Sequence, residues 1–247
     1  MISFSEKTFL VTGASSGIGK NVSELLAKQL GANVVLVARR TEIIEGLAQI
    51  LPGNNYAITY DFSDLEHIGS IFAKCEQRNI YLDGIVYAAG IAPLYALKEN
   101  DTKQTMDTMK VNALAFAEVA KGALNASCMH EQASIVAVSS IVSLATTNRQ
   151  SAYAASKTML NTYVKYFAKE ALGKFRVNAV LPGVVETEMY QRLREQSINL
   201  DEKTKKNQPL GIIPAEKVSK MIAYLLSEDS SYVTGSLMQM DGGWLLT

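Results

Sequence analysis

Short runs of β-branched and other apolar residues alternate along the chain with longer segments in which apolar residues recur every three or four positions. The short runs predict strands over residues 8–11, 33–37, 56–60, 84–87, 134–138, 176–181 and 236–240. The longer segments predict helices, the clearest over residues 102–127 and 150–172. The run 33–37 is apolar after its first residue, which indicates a strand covered on both faces.

This alternation of strands and helices predicts βαβ units and a parallel sheet. We expect an α/β protein with a single-domain, doubly wound Rossmann fold over residues 1–247, with a parallel seven-stranded sheet and helices on both faces. The segment 186–209 departs from this pattern because it is rich in Glu, Gln, Lys and Arg and follows a strand that ends in Pro182-Gly183. Its position predicts a substrate lid, and a solvated pair of surface helices is the alternative.

Composition narrows the classes of function. The 247 residues include 24 Lys and Arg against 24 Asp and Glu, so the formal net charge is zero and no nucleic-acid partner is expected. No run of about 18 apolar residues is present, so we expect no membrane span. The first residues lack a basic region followed by an apolar one, so we expect no signal peptide and a cytoplasmic protein.

The cysteines and histidines give no sign of a metal site. Cys75 and Cys128 lie far apart in the sequence and match neither a metal-ligand nor a redox spacing, so we expect two buried thiols. His67 and His130 have no partnering carboxylate or cysteine at ligand spacing. We therefore expect no bound metal.

A glycine-rich segment lies between the first predicted strand and the first predicted helix. It reads Thr12-Gly13-Ala14-Ser15-Ser16-Gly17-Ile18-Gly19. Glycines at such a junction let the backbone approach a pyrophosphate, and the helix N-terminus supplies amides and the positive end of a dipole. The segment therefore predicts a dinucleotide site formed by Gly13, Ser15, Ser16, Gly17, Ile18 and Gly19.

With Thr12, the spacing Gly-x-x-x-Gly-x-Gly resembles that of the short-chain dehydrogenase/reductase family, and other motifs follow in the family's order over essentially the whole chain. These motifs are Ala88-Ala89-Gly90, in which Tyr87 and Ala88 stand where the family usually has asparagine; Asn112, Ser140, Tyr153 and Lys157 at the positions of the catalytic tetrad; the nicotinamide-side loop with Pro182, Gly183, Val185 and Thr187; and Asp241-Gly242-Gly243.

The resemblance implies a nicotinamide cofactor, a carbonyl or alcohol substrate and a homodimer or homotetramer. It also places Asp61 and Phe62 beside the adenine, although Asp61 could instead cap a helix ahead of Ser63. In the family Tyr153 and Lys157 would contact the cofactor as well as the substrate. Met159, Tyr163 and Phe167 could supply oligomer contacts or belong to the core.

The second predicted strand indicates which dinucleotide is bound. It runs into Ala38-Arg39-Arg40 without the carboxylate that accepts the ribose hydroxyls of NAD. A guanidinium offers paired donors to a 2′-phosphate, so we predict NADP(H) in preference to NAD(H). Arg39 is the predicted contact, and Arg40 either assists it or begins a surface helix.

The predicted chemistry centres on Tyr153 and Lys157, which lie four residues apart and hence on one helix face. A lysine ammonium close to a phenol favours the phenolate and should lower the phenol's pKa towards neutrality. Ser140 is preferred to Ser139 as the partner of the substrate oxygen because the family's serine precedes its tyrosine by thirteen residues. Asn112 resembles the asparagine that holds a water beside the lysine, with a local helix kink as the alternative.

Together these features predict an NADP(H)-dependent oxidoreductase that interconverts a carbonyl and a secondary alcohol. The general resemblance is strongest to 3-oxoacyl-carrier-protein reductases, but a small ketone or a sugar precursor is an equal candidate. Docking of an acidic carrier protein needs basic residues at the mouth of the site, and Lys174 and Arg176 are available. The alternatives are a cofactor-binding scaffold without turnover and a sugar epimerase or dehydratase.

Overall fold

A computed structural model describes residues 2–195 and 200–247. Strands β1 to β9 are Thr8–Thr12, Asn33–Ala38, Tyr56–Thr59, Leu82–Tyr87, Met129–Val138, Arg176–Pro182, Val185–Glu186, Ile213–Pro214 and Leu237–Met240. Helices α1 to α9 are Gly17–Lys28, Thr41–Ile50, Gly69–Glu76, Thr102–Met109, Ala115–Asn125, Ser151–Glu170, Glu188–Glu195, Leu200–Asn207 and Ala215–Leu226.

Seven strands form one parallel sheet in the order β3-β2-β1-β4-β5-β6-β9. Helices α1, α2 and α9 contribute to the apolar core on one face, and α3, α5 and α6 contribute to the core on the other. Residues 34–37 of β2 are at most 1% exposed, because helices cover both of their faces. This confirms the predicted doubly wound α/β fold. Among the described residues, no helix combines the length and hydropathy that a membrane crossing needs.

Several predicted boundaries were wrong. The predicted helix over 102–127 is divided, because α4 ends at Met109 and a π-helical turn at Lys110–Leu114 separates it from α5. β5 begins at Met129 instead of residue 134, because its first four residues are not buried and so lack the apolar pattern. β4 begins at Leu82 instead of residue 84, ahead of a shift in strand register. The helix predicted over 150–172 spans Ser151–Glu170.

The structure locates two sets of residues that were considered for surface roles. Phe167 is buried in the core, and Met159 and Tyr163 pack against that core. Lys174 and Arg176 precede or begin β6, at the edge of the sheet opposite to the carboxyl ends of the strands. They are therefore not at the mouth of a site on the carboxyl edge.

Arg176 joins β6 to the end of α9 and to the segment that follows it. Its guanidinium donates hydrogen bonds of 3.0 Å to the carbonyl oxygens of Leu225, Ser227 and Ser230, and a longer one of 3.4 Å to that of Val233. Carbonyl groups that lose a charged donor in a half-buried place are costly to leave without a partner. Arg176 is therefore a structural residue.

Replacing Arg176 should destabilise the protein without changing its active site. We expect Arg176→Met to lower the free energy of unfolding by about 1.5–3 kcal/mol, the usual range for hydrogen bonds to a charged group. Urea unfolding measures this, with the exposed Arg192→Met as the matched control. A loss no larger than that of the control would contradict this role for Arg176.

The segment 186–209 leaves and rejoins the fold at one place. β7 and β8 pair in parallel as a separate two-stranded sheet, and α7 and α8 lie between them in the chain. Asp201 of α8 accepts a hydrogen bond from the Tyr190 hydroxyl and forms a 2.7 Å ion pair with Arg194, both on α7. The two helices are thus tied to each other. Residues 196–199 of this predicted lid lie outside the described residues.

Candidate active site

The carboxyl ends of neighbouring strands meet at one edge of the sheet, and the predicted site residues lie there. The loop after β1 holds Gly13, Ser15 and Ser16, and α1 begins with Gly17, Ile18 and Gly19; Arg39 and Arg40 follow β2, Asp61 and Phe62 follow β3, Ala88, Ala89 and Gly90 follow β4, Ser140 follows β5, and Pro182, Gly183, Val185 and Thr187 end or follow β6. A parallel sheet therefore brings together residues that are far apart in the sequence.

The loop after β1 packs directly on the loop after β4. Gly13 has a φ of +65°, and a β-carbon there would lie 2.8 Å from the carbonyl oxygen of Ala88. The Thr12 hydroxyl accepts hydrogen bonds of 3.0 Å from the amides of Ala88 and Ala89. Both the backbone conformation and the lack of space require glycine at position 13.

The N-terminus of α1 presents amides that its own side chains do not use. Ser16 is the N-cap residue but makes no side-chain capping hydrogen bond, and the first turn contains no acidic residue. A β-carbon at Gly17 would meet the Thr187 methyl group at 3.6 Å, which is ordinary contact, and no atom lies closer to it. The uncapped amides and the positive end of the helix dipole therefore fit the pyrophosphate of a dinucleotide.

Two arginines stand between the glycine-rich loop and the end of β3. Arg40 donates hydrogen bonds to the Ser15 carbonyl at 2.9 Å and to the Ser15 hydroxyl at 3.1 Å. Arg39 is 67% exposed, and its guanidinium lies 3.9 Å from the carboxylate of Asp61. Arg40 therefore braces the loop in addition to starting α2, whereas Arg39 has most of its donors facing solvent.

Asp61 and Phe62 are placed differently from each other. The Asp61 carboxylate accepts a 3.0 Å hydrogen bond from the Ser63 amide, so it stabilises a turn several residues before α3 begins. The Phe62 ring is 4% exposed and packs edge-on against Tyr87, with 5.6 Å between ring centroids. Any contact of Phe62 with a cofactor would therefore involve its backbone, because its ring belongs to the core.

Tyr153 and Ser140 bring two hydroxyls together. The N-terminal end of α6 carries Tyr153 next to the turn after β5, near enough to Ser140 for the serine hydroxyl to lower the pKa of the phenol. Burial raises the pKa of Tyr153 to about 12, and the hydrogen bond from Ser140 opposes part of that rise. The expectation that the lysine would bring this pKa towards neutrality was therefore wrong, because burial is the larger effect.

Lys157 lies one helical turn after Tyr153 and is 4% exposed. Its Nζ atom is 5.7 Å from the centroid of the Tyr153 ring and donates a 2.9 Å hydrogen bond to the Val138 carbonyl. Burial lowers the pKa of this ammonium to about 8. A β-carbon at Gly90 would lie 3.5 Å from Nζ, so the glycine leaves room beside the ammonium. Lys157 is thus a mainly protonated donor near neutrality.

Asn112 lies inside the π-helical turn, and its side chain is held by other parts of the fold. Its Oδ1 accepts a 2.8 Å hydrogen bond from the Ile91 amide, and its Nδ2 donates to the Ile91 carbonyl and to the Ser156 hydroxyl, both at 2.9 Å. Asn112 thus lies where the π-helical turn interrupts the predicted helix. Both amide hydrogens of Asn112 are used within the protein, so its side chain fixes the loop after β4 beside Lys157.

The loop after β6 reaches from the serine end of the site towards the glycine-rich loop. β6 pairs with β5, which leads to Ser140, and the Thr187 methyl group approaches Gly17. The Thr187 hydroxyl caps α7 by accepting a 3.3 Å hydrogen bond from the Tyr190 amide. Tyr190 is 7% exposed and directs its hydroxyl to Asp201, so it lies within the α7–α8 pair.

Sequence reasoning missed several residues that shape the site. The Ser156 hydroxyl accepts a hydrogen bond from the Asn112 side-chain amide. The Gln208 side chain forms hydrogen bonds with both the amide and the carbonyl of Val184. Ser143 accepts a 2.8 Å hydrogen bond from Asn161 and donates one to the Ser140 carbonyl. These are polar residues bonded to distant segments, so no periodicity or spacing in the sequence marks them.

The comparisons with known proteins agree with this arrangement. Residues 13–245 match the sequence model of a family described as enoyl-(acyl carrier protein) reductase. The 3-oxoacyl-(acyl-carrier-protein) reductase of Bos taurus is 34% identical over 98% of this chain and 99% of its own. The corresponding Thermotoga maritima reductase is 35% identical over 97% and 98%. A solved short-chain dehydrogenase/reductase from Brucella melitensis, described as a glucose/ribitol dehydrogenase, superposes with a TM-score of 0.91 at 28% identity over 98% of both chains. The chain therefore belongs to the short-chain dehydrogenase/reductase family, whose members are NAD(P)-dependent oxidoreductases.

Proposed function

We propose that this protein uses NADPH to reduce the 3-carbonyl of a 3-oxoacyl thioester to a secondary alcohol. The observation that carries the proposal is the cluster of the Ser140 and Tyr153 hydroxyls with the Lys157 ammonium beside it, at the sheet edge that also holds the glycine-rich loop. The reduced nicotinamide supplies the hydride when it is bound. Relatives over the whole chain whose names specify 3-oxoacyl-(acyl-carrier-protein) reduction support the substrate class.

In this proposal Ser140 and Tyr153 act on the substrate oxygen. As the carbonyl carbon is reduced, its oxygen gains negative charge, and hydroxyls fixed beforehand stabilise that charge. Tyr153 then donates its proton, which it holds because burial raises its pKa to about 12. Ser140 is kept in place by the turn that follows β5, where the Val142 amide donates to its hydroxyl at 3.4 Å.

Lys157 serves Tyr153 in two ways. Its positive charge, 5.7 Å from the ring centroid, stabilises the phenolate that forms when the proton leaves. The Lys157 ammonium has three hydrogen-bond donors, and the Val138 carbonyl accepts from one of them. Within the described residues, no other group accepts a hydrogen bond from this ammonium. The remaining donors suit the nicotinamide ribose and the water that would return a proton to Tyr153. The Asn112 side chain is hydrogen-bonded to Ile91 and Ser156, so it fixes the segments that surround this water.

The arginines after β2 support the preference for NADPH. No carboxylate directly follows β2, and Arg39 presents an exposed guanidinium whose nearest acid, Asp61, is 3.9 Å away. Arg40 is less available because it bonds to Ser15. We propose that Arg39 binds the 2′-phosphate and that Arg40 braces the loop around the pyrophosphate.

This assignment predicts a change of cofactor preference on removal of Arg39. Arg39→Ala should weaken NADPH binding about tenfold or more and leave NADH binding within about twofold, because a charged hydrogen bond contributes about 1.5–3 kcal/mol. Fluorescence titration of both cofactors measures the two affinities. The exposed Arg78→Ala is the matched control. An unchanged NADPH-to-NADH preference in Arg39→Ala would rule out this contact.

A carbonyl panel tests the proposed reaction. Short 3-oxoacyl thioesters, small ketones, sugar precursors and enoyl thioesters are offered with NADPH or NADH, and the loss of nicotinamide absorbance is followed. We expect the 3-oxoacyl thioesters to be turned over fastest, and with NADPH. Turnover of the enoyl thioesters alone would contradict the carbonyl assignment. If none of the compounds oxidised the cofactor, the result would favour the alternative of a cofactor-binding scaffold without turnover.

The segment 186–209 is proposed to be the substrate lid, since it follows the loop after β6 and its Thr187 methyl group approaches Gly17. The carboxylate of Glu188, near the start of this segment, lies 3.9 Å from the guanidinium of Arg40, which in turn bonds to Ser15 of the glycine-rich loop.

A homodimer or homotetramer is proposed from the family resemblance, and the exposed Tyr166 of α6 offers apolar surface for it. Light scattering on the purified protein tests the oligomer, and a monomer at working concentration would contradict it.

A further inference from the structure

Gln208 is a fully buried polar residue at the end of the 186–209 segment. It directly follows α8, and its side chain is 0% exposed. It lies between the loop after β6 and the loop after β9. A β-carbon at Gly242 would come within 2.5 Å of its Cγ atom, and one at Gly183 would collide with its Oε1 atom. Glycines on both sides thus make the space that this one side chain fills.

The Gln208 carboxamide pairs with both backbone groups of a single residue. Its Oε1 accepts a 2.8 Å hydrogen bond from the Val184 amide, and its Nε2 donates to the Val184 carbonyl at 3.1 Å. Nε2 also donates to the Gly211 carbonyl. Val184 would otherwise have an unpaired amide next to Pro182-Gly183, so the side chain acts as a short piece of neighbouring strand.

The contact continues into the small β7–β8 sheet. The Ile213 amide also donates to the Val184 carbonyl, at 2.9 Å, and β7 then pairs with β8 from Val185 onward. Gln208 therefore fixes Val184, the second residue of the loop that runs from β6 to Thr187. That loop lies between Ser140 and Gly17, where the reacting end of the cofactor has to be placed under the proposed function.

We propose that Gln208 is a positioning residue for the nicotinamide end of the cofactor, acting through the backbone of Val184. The proposal rests on the proposed function, because it concerns the same dinucleotide. Gln208 should therefore affect only one half of the binding site. The adenosine half is formed by the glycine-rich loop and the arginines, to which Gln208 is not hydrogen-bonded. The nicotinamide half depends on the loop that Gln208 holds.

The test compares binding of NADPH with binding of 2′,5′-ADP, which lacks the nicotinamide half. Gln208→Met keeps the length of the side chain and removes its hydrogen bonds, and Gln208→Glu keeps the acceptor and removes the donors. We expect both variants to bind NADPH about tenfold more weakly and 2′,5′-ADP within about twofold of the unaltered protein, the loss that one or two hydrogen bonds produce. The exposed Gln191→Met, on the same segment, should change neither affinity.

Parallel weakening of both ligands would overturn the role of Gln208 in positioning, since it would indicate a general loss of structure. Unchanged NADPH binding with lower melting temperature would overturn it as well. Equal binding of NADPH and 2′,5′-ADP by the unaltered protein would show that the nicotinamide half is not bound. That result would contradict the proposed function itself, before any role of Gln208 is considered.

If the Gln208 variants do not fold, hydrogen exchange of the unaltered protein gives the answer. NADPH should slow exchange in residues 183–187 and in 208–213 together, and 2′,5′-ADP should not. Equal protection by both ligands would overturn the proposal.

Discussion

Tyr153→Phe is expected to lose nearly all turnover while keeping its affinity for NADPH. The substitution retains the ring and removes only the hydroxyl, whose pKa responds to Ser140. A positioned general acid contributes about 10²–10⁴-fold to a rate, so kcat should fall by that factor. Initial rates on a 3-oxoacyl thioester give kcat, and fluorescence titration gives the dissociation constant of NADPH.

Tyr163→Phe is the matched control because Tyr163 lies on the same helix and packs against the core. It should retain kcat within about twofold, as expected of a residue outside the active site. If Tyr153→Phe turned over substrate at nearly the rate of this control, Tyr153 could not be the general acid.

Carbonyl reduction is expected to slow at alkaline pH, and the group responsible is Lys157. Burial lowers the pKa of its ammonium to about 8, so the charge is present below that pH and is lost as the pH rises through it. Tyr153 does not explain this limb, because its pKa is raised to about 12 and its proton is retained. We therefore expect kcat/KM to be level below about pH 8 and to fall tenfold per unit above it.

Removing the charge should have the same effect at every pH. We expect Lys157→Met to reduce kcat/KM at least about 10²-fold and to abolish the alkaline limb, because the phenolate loses the ammonium beside it. Lys165→Met, an exposed residue of the same helix, is the control. A limb near pH 8 that persisted in Lys157→Met would assign the titration to another group.

The sheet was predictable because its signal is local. Strands such as β2 are buried on both faces, so the apolar run in the sequence is itself the consequence of the fold. The division of the predicted helix over 102–127 was not predictable, because its cause is tertiary. No glycine or proline marks the π-helical turn, and Asn112 bonds there to Ile91 and Ser156, which are distant in sequence.

The site was predictable to the extent that its chemistry depends on motifs. The glycines, Ser140, Tyr153 and Lys157 meet at one edge because each follows or faces a strand end. The raised pKa of Tyr153 was not predictable, since spacing indicates that a lysine is near but not that desolvation of the phenol is the larger effect. Gln208 was missed for a related reason, because its partners are backbone groups of Val184 and Gly211.

Transfer of a labelled hydride tests the central claim most directly. NADPH carrying deuterium at the reactive carbon of the nicotinamide is mixed with a 3-oxoacyl thioester, and the product is examined by mass spectrometry and NMR. Carbonyl reduction predicts one deuterium on carbon 3 of a 3-hydroxyacyl product with the unaltered protein, and almost none with Tyr153→Phe. Product without deuterium, deuterium at another carbon, or equal labelling by Tyr153→Phe would contradict it.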